Sequence, residues 1–243
     1  MGITKDLPQL VSRAMHAARE NRLWAKTALY VAGLFILALG VGFAIHSGLG
    51  VPPVNSLPFV VSMILGVSIG VCVTGWLLFF IITQCIVLRK ISWIYLVQLL
   101  FAFVFGRFVD ISVALLAGVV LSTYWGQLAF QGISIILVTL GIVMYLDAGL
   151  VTLPVDGAVV AITTKIPGGA FHRVKVVMDS TIVLAAIILS IIFLGGLYGV
   201  REGTVVSAVA VGKAMPFIRK IIAPVFRAAG LENQPERAET AQP

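Results

Sequence analysis

The chain has 243 residues, 60% of them hydrophobic and only 11% charged, with a mean hydropathy of +1.08. Soluble domains are about 25% charged, and a fold this apolar lacks the polar surface to cover itself in water; the continuous apolar runs also exclude the short alternating segments of a β-barrel. The net charge of +7 lies mostly at the two ends, with Lys5, Arg13, Arg19, Arg22 and Lys26 before the first apolar run and Arg219, Lys220, Arg227 and Arg237 after the last, a placement that suits orientation signals and lipid headgroups, not a nucleic-acid footprint.

In chain order, residues 3–24 interleave Leu7, Leu10, Val11, Met15 and Leu23–Trp24 with basic residues. That pattern predicts a short amphipathic helix at the cytoplasmic interface, closing an N-terminal segment of residues 1–26. Thr27–Ile45 is a first uncharged run, long enough to cross a core of roughly 30 Å. Ile69–Leu88 is a second, ending at Arg89-Lys90, and Ile91 to about Val109 a third. Ile111–Leu121 alone is too short to cross. Leu128–Leu146 and Val174–Leu194 are a fourth and a fifth, and Gly203–Phe217 is a short sixth. An amphipathic stretch, PFIRKIIAPVFRAAG, and a polar tail from Glu232 follow; the tail's composition predicts disorder. Cys72 and Cys85 lie 13 residues apart in one run, about 20 Å on a helix and beyond disulfide reach. With no CxxC and no His/Cys cluster, neither a metal nor a cofactor is expected.

Lys and Arg set the orientation. The loops holding Arg89-Lys90 and Arg173/Lys175 read as cytoplasmic, whereas those around 47–56 and 120–127 hold no Lys or Arg and that near 198–202 holds only Arg201. Both termini are then cytoplasmic. Six crossings fit only if the short apolar segments Asn55–Leu65 and Asp156–Ile166 do not cross, which makes each a candidate re-entrant or half helix.

Those segments follow a repeated motif. LGVGFAIHSGLGVPPVN (39–55) aligns without a gap to LGIVMYLDAGLVTLPVD (140–156) at an offset of 101, matching Gly40/Gly141, Gly48/Gly149, Pro53/Pro154 and Val54/Val155, with Asn55 opposite Asp156 and Ser62 opposite Thr163. Leu and Val matches are cheap in a membrane chain; aligned Gly and Pro are not. With three crossings per copy (repeat one about 27–122, repeat two about 128–218), the second copy is upside down. An inverted 3+3 repeat with broken helices points to a site near the bilayer midplane. Gly48 and Gly149 suit the left-handed end of a helix, Pro53 and Pro154 the first turn of the next, and Asn55 and Asp156 the N-cap. Well-capped turns between ordinary helices are the plainer reading of the same residues.

At AIHSGLGVPPVNSLPFVVS (44–62), GRFVD (106–110) and DAGLVTLPVDGAVVAIT (147–163) the chain resembles the YczE/YyaS/YitT group of bacterial integral membrane proteins, most of all its YczE-like branch, over residues 28–218. Ser47 before Gly48, and Val151 in place of a second-copy glycine, depart from that branch's pattern. The resemblance implies a polytopic inner-membrane protein and lends no chemistry.

Among charges within the spans, Arg107 and Asp110 are three apart and Lys175 and Asp179 four apart, so each couple can pair on one helix face. His46 and Asp147 take equivalent places just before the two breaks. Gln84 and Gln98 can hydrogen-bond between helices. No HExxH, GxSxG or P-loop is present, and no nucleophile–base spacing is offered, so an enzyme is not expected.

The sequence therefore predicts an all-α membrane protein of about six transmembrane helices with two short ones, a single transmembrane domain over 27–218, and a basic amphipathic stretch and tail over 219–243. Two functions are open. One is a transporter or channel for a small polar or anionic solute, with Asn55, Ser56, Asp156 and Thr163 lining the path, Gly48, Pro53, Gly149 and Pro154 shaping it, and Arg107–Asp110 and Lys175–Asp179 as intramembrane ion pairs. The other is a non-transporting scaffold that docks an enzyme or membrane partner through its basic ends. The bilayer, a solute and further copies of the chain are the expected partners; nucleic acid is not.

Overall fold

A computed structural model describes residues 7–166 and 170–228, with side chains for 23–166, 170–224 and 226. Eight helices follow one another without a strand among the described residues: α1 (Leu7–Ser47), α2 (Pro53–Leu65), α3 (Ile69–Leu88), α4 (Trp93–Leu116), α5 (Tyr124–Ala148), α6 (Pro154–Thr163), α7 (Phe171–Leu194) and α8 (Glu202–Ala228). Five stretches are long and apolar enough to cross a membrane: Leu23–Ser47 within α1, and α3, α4, α5 and α7. α2 and α6 are the two shorter apolar helices.

Three boundaries correct the sequence reading. The described part of the amphipathic N-terminal segment is not a separate interfacial helix but the start of α1, whose 41 residues extend about 60 Å and so overrun a core of roughly 30 Å. The run at Ile111–Leu121 is not a separate fragment: no Gly or Pro stands between Asp110 and Leu116, and α4 continues into the run as far as Leu116, just before Gly118. The sixth apolar segment and the amphipathic stretch after it form one 27-residue helix, α8, with Pro216 and Pro224 inside it. Pro167-Gly168-Gly169, a sequence that reads as a turn, and the tail from Glu232 lie outside the described residues.

The bundle is organised around α1 and α5, which make its most extensive contact. They run antiparallel: Gly33 lies beside Tyr145, Gly141 beside Leu37 and Gly40 beside Val138. Close approach requires glycine at all three of these points. A Cβ at Gly141 would stand 2.5 Å from the Leu37 backbone nitrogen, and one at Gly40 would stand 2.7 Å from that of Val138. Both contacts obey the 101-residue offset, since 40 and 37 become 141 and 138. Most of the remaining packing follows the same offset: α1 lies on α4 as α5 lies on α8, α2 on α7 as α6 on α3, and α2 on α3 as α6 on α7, whereas the α3–α4 contact has no counterpart of like extent between α7 and α8 among the described residues. A core of Tyr30, Leu34, Val41, Phe80, Phe105 and Tyr145, among others, fills the space between.

Gly141→Val should overpack this crossing at a cost of about 1–3 kcal/mol. Gly132→Val on the same helix, where a Cβ meets nothing within 4 Å, should cost far less. Unfolding midpoints of the two variants in detergent check the difference.

Candidate functional site

Both helix breaks have the same local origin. α1 and α5 end on left-handed glycines, Gly48 (φ 67°) and Gly149 (φ 62°), a conformation in which a Cβ is strained. The next helix starts on Pro53 or Pro154, whose missing N–H costs nothing in a first turn. Asn55 and Asp156 are not the N-caps expected from sequence. The caps are Pro52 and Leu153, and neither makes a side-chain capping bond. The prolines begin the helices at Pro53 and Pro154, which places Asn55 and Asp156 in the third helical position, free to point away from the helix end.

Each break draws its hydrogen bonds from the other half of the chain. At the first, Val51 N–H donates to the Gly199 carbonyl (3.0 Å), Gly203 N–H to the Leu49 carbonyl (2.8 Å), and the Arg201 guanidinium to the Gly48 carbonyl (2.9 Å). Buried Gln131 supports it, accepting from Ser47 Oγ (2.8 Å) and donating to Ser207 Oγ (2.8 Å). At the second break, the amide of Gln98 donates to the Thr152 carbonyl (3.0 Å) and that of Gln84 to the Pro154 carbonyl (3.0 Å). Position 51 pairs with 199 and position 152 with 98, the same couple shifted by 101.

Beside the second break lies a charged cluster. Lys175 Nζ stands 3.2 Å from Asp156 Oδ1 and 3.6 Å from Asp179 Oδ1. Tyr145 donates its hydroxyl to Asp156 Oδ2 at 2.9 Å. The three charged side chains are about a quarter exposed, at 25–26%, whereas Tyr145 is buried and packs edge-on to Tyr30. Asp179 Oδ1 is buried without a hydrogen-bond partner. α6 and α7 thus bring two carboxylates and one ammonium together, one negative charge in excess, and α5 adds the Tyr145 hydroxyl.

The other residues singled out in the sequence lie elsewhere. Ser56 and Thr163 give their hydroxyls to carbonyls of their own helices, Pro53 and Val159, both at 2.7 Å. The Asn55 side chain is half-buried and takes no hydrogen-bond partner among the described residues. Arg107 is 3.7 Å from Asp110, but that carboxylate is held more closely by α3, accepting from Gly70 N–H (2.7 Å) and Ser68 Oγ (3.0 Å). It closes the N-terminus of α3, where a negative charge offsets the helix dipole. His46 turns back on the Gly42 carbonyl (3.0 Å). Asp147 is buried and bound by the Arg219 guanidinium, which joins α5 to α8. A cavity of about 650 Å³ lies between α2, α3, α6 and α7, with nearly all its lining apolar. None of Asn55, Ser56, Asp156 or Thr163 lines it.

Sequence reasoning did not find Tyr145, Gln131 or Arg219 as partners. Gln131 carried a signal, a lone amide in an apolar helix; Tyr145 and Arg219 carried none without knowledge of which helices meet.

A family model described as a family of unknown function (DUF6198) matches residues 24–220. The chain belongs to this family. It is similar to two Bacillus subtilis (strain 168) proteins. The uncharacterized membrane protein YczE is 30% identical over 203 residues, 82% of this chain and 87% of YczE. The uncharacterized protein YyaS is 27% identical over 172 residues, 70% of this chain and 82% of YyaS. No solved structure matches. The family match spans α2 to α7 completely, with most of α1 and α8, so both breaks and the charged cluster lie inside it. With five helices fit to cross a bilayer and a relative named as a membrane protein, the chain is a multi-pass membrane protein.

Replacing Gln98 by Leu should strand the Thr152 carbonyl in apolar surroundings and cost about 1–3 kcal/mol of stability. Denaturant unfolding in detergent, compared with wild type, checks this.

Proposed function

We propose that the chain is a membrane transporter built from an inverted duplication, with its polar site at the second helix break. The observation that carries this reading is the Tyr145–Asp156–Lys175–Asp179 cluster, drawn from α5, α6 and α7 at the point where the chain leaves helix. Charges within membrane spans are costly, and such clusters mark ion and proton pathways. The antiparallel α1–α5 crossing and the offset-related helix pairs support the inversion. α8 serves as the sixth crossing and returns the C-terminus to the cytoplasmic side, as the Lys and Arg distribution requires.

The cluster's surplus carboxylate, with Asp179 Oδ1 buried, ion-paired to Lys175 at 3.6 Å and without a hydrogen bond, suits a proton as the mobile charge and disfavours a bare anion at the same place. A small polar solute coupled to a proton fits the chemistry best. Protonation of either carboxylate would leave Lys175 to the other, trading between the α6–α7 pair with Asp156 and the pair with Asp179 within α7.

A second reading, the non-transporting scaffold, is favoured by one observation: the space between the short helices is an apolar cavity, not a polar path. The two readings separate in one experiment. Proteoliposomes holding wild-type protein and an internal pH-sensitive dye, offered a polar metabolite extract, should move protons with solute. Asp156→Asn should abolish this, at least tenfold, while staying folded and monodisperse. Equal proton and solute movement in both overturns the transport site; no movement in either favours the scaffold.

A further inference from the structure

The apolar cavity has one polar end. Along α7 its wall runs from Arg173 to Ala185, twelve residues or about 18 Å. That matches the depth of a single leaflet, about half of a hydrocarbon core of roughly 30 Å. Trp76, Phe80, Met178 and Ile182 form its floor, and exposed Phe79 and Val177 its rim, so it opens sideways as a groove. Arg173 is the only charged residue in the lining. It is exposed and has no ion-pair partner among the described residues, whereas Lys175 two positions on is held by Asp156 and Asp179. The indole N–H of Trp76 is buried without an acceptor.

A groove of leaflet depth, apolar along its length and cationic at one end, is complementary to an amphiphile with a single anionic head. Charge placement further narrows the occupant. Arg173 lies in the first turn of α7 next to His172, eight residues after Lys165, on the side that the Lys/Arg asymmetry assigns to the cytoplasm. The anionic lipids of that leaflet collect in basic pockets between helices. A guanidinium offers a phosphate two parallel hydrogen bonds, and the sideways opening lets a bilayer lipid enter without leaving its leaflet.

We propose that this groove binds one acyl chain of an anionic phospholipid, with the lipid phosphate on Arg173. The lipid lies between the α2–α7 pair and the α3–α6 pair, at the level of the short helices. This site is independent of the transport reading, because neither Asp156 nor Lys175 takes part in it.

The test is native mass spectrometry of the full chain in detergent with dioleoylphosphatidylglycerol, dioleoylphosphatidylcholine or oleate. One phosphatidylglycerol should be retained per chain, at least tenfold more strongly than phosphatidylcholine. Arg173→Gln, a change at an exposed position, should reduce that retention about tenfold, and Arg173→Lys less. Ala185→Trp should displace the lipid by filling the groove. Equal retention of the two lipids, unchanged retention in Arg173→Gln, or binding of oleate but not of phosphatidylglycerol overturns the proposal.

Discussion

A backbone that leaves helical geometry inside an apolar bundle exposes amides and carbonyls that water cannot reach, and each must find a partner in the protein. The rest of this fold follows from how that demand is met twice. Neither break satisfies itself. The carbonyls of Gly48 and Leu49 and the amide of Val51 are bonded by residues 199–203, and the carbonyls of Thr152 and Pro154 by Gln98 and Gln84. The loop between α7 and α8 is thereby fixed against the end of α1, and α3 and α4 against the start of α6. The glycine contacts between α1 and α5 hold the halves close enough for these bonds to reach. Interlocked exchange of this kind makes the two halves one folding unit, since either alone would leave its own break unsatisfied.

The same exchange limits how far the halves can move. A transporter that rocks one half against the other must keep or trade these bonds, and the partners differ in what they allow. The Gln84 and Gln98 amides are side chains on flexible stems, and Gln84 can also donate to the Gln98 oxygen (3.3 Å). Val51 and Gly203 are backbone groups with no such latitude. The second break is therefore the more adaptable, and the charged cluster sits beside that one.

Much of the fold was legible because the bilayer imposes a coarse grammar. Runs of apolar residues, read against a fixed thickness, locate α3, α4, α5 and α7 within a few residues apart from the C-terminal extension of α4. Glycine and proline punctuation locates both breaks, because left-handed backbone and a missing N–H are properties of single residues. Legibility failed where amphipathic and apolar stretches share one helix, as in α1 and α8. Composition changes there without any residue that stops a helix. It failed again at the caps: Asn55 and Asp156 are good N-cap residues, but proline two positions earlier had already begun each helix. The cluster was half legible. Spacing alone puts Lys175 and Asp179 one turn apart, but only the packing of α6 on α7 and the course of α5 bring Asp156 and Tyr145 to the same ammonium.

The offset of 101 also separates what the fold needs from what the site needs. The glycines, the prolines and the borrowed hydrogen bonds recur in both halves. The charges do not: the positions matching Tyr145, Lys175 and Asp179 are Ala44, Thr74 and Leu78, and Asp156 is matched by Asn55. Geometry that both halves must share is required by the apolar interior, whichever half it serves. A carboxylate–ammonium cluster that appears in only one half, at a desolvation cost the other half avoids, is not required for closing a break, because backbone groups and the exposed Arg201 close the first break without one. The cluster on α5, α6 and α7 is thus an addition to a scaffold that is already complete, and it is there that a function beyond folding belongs.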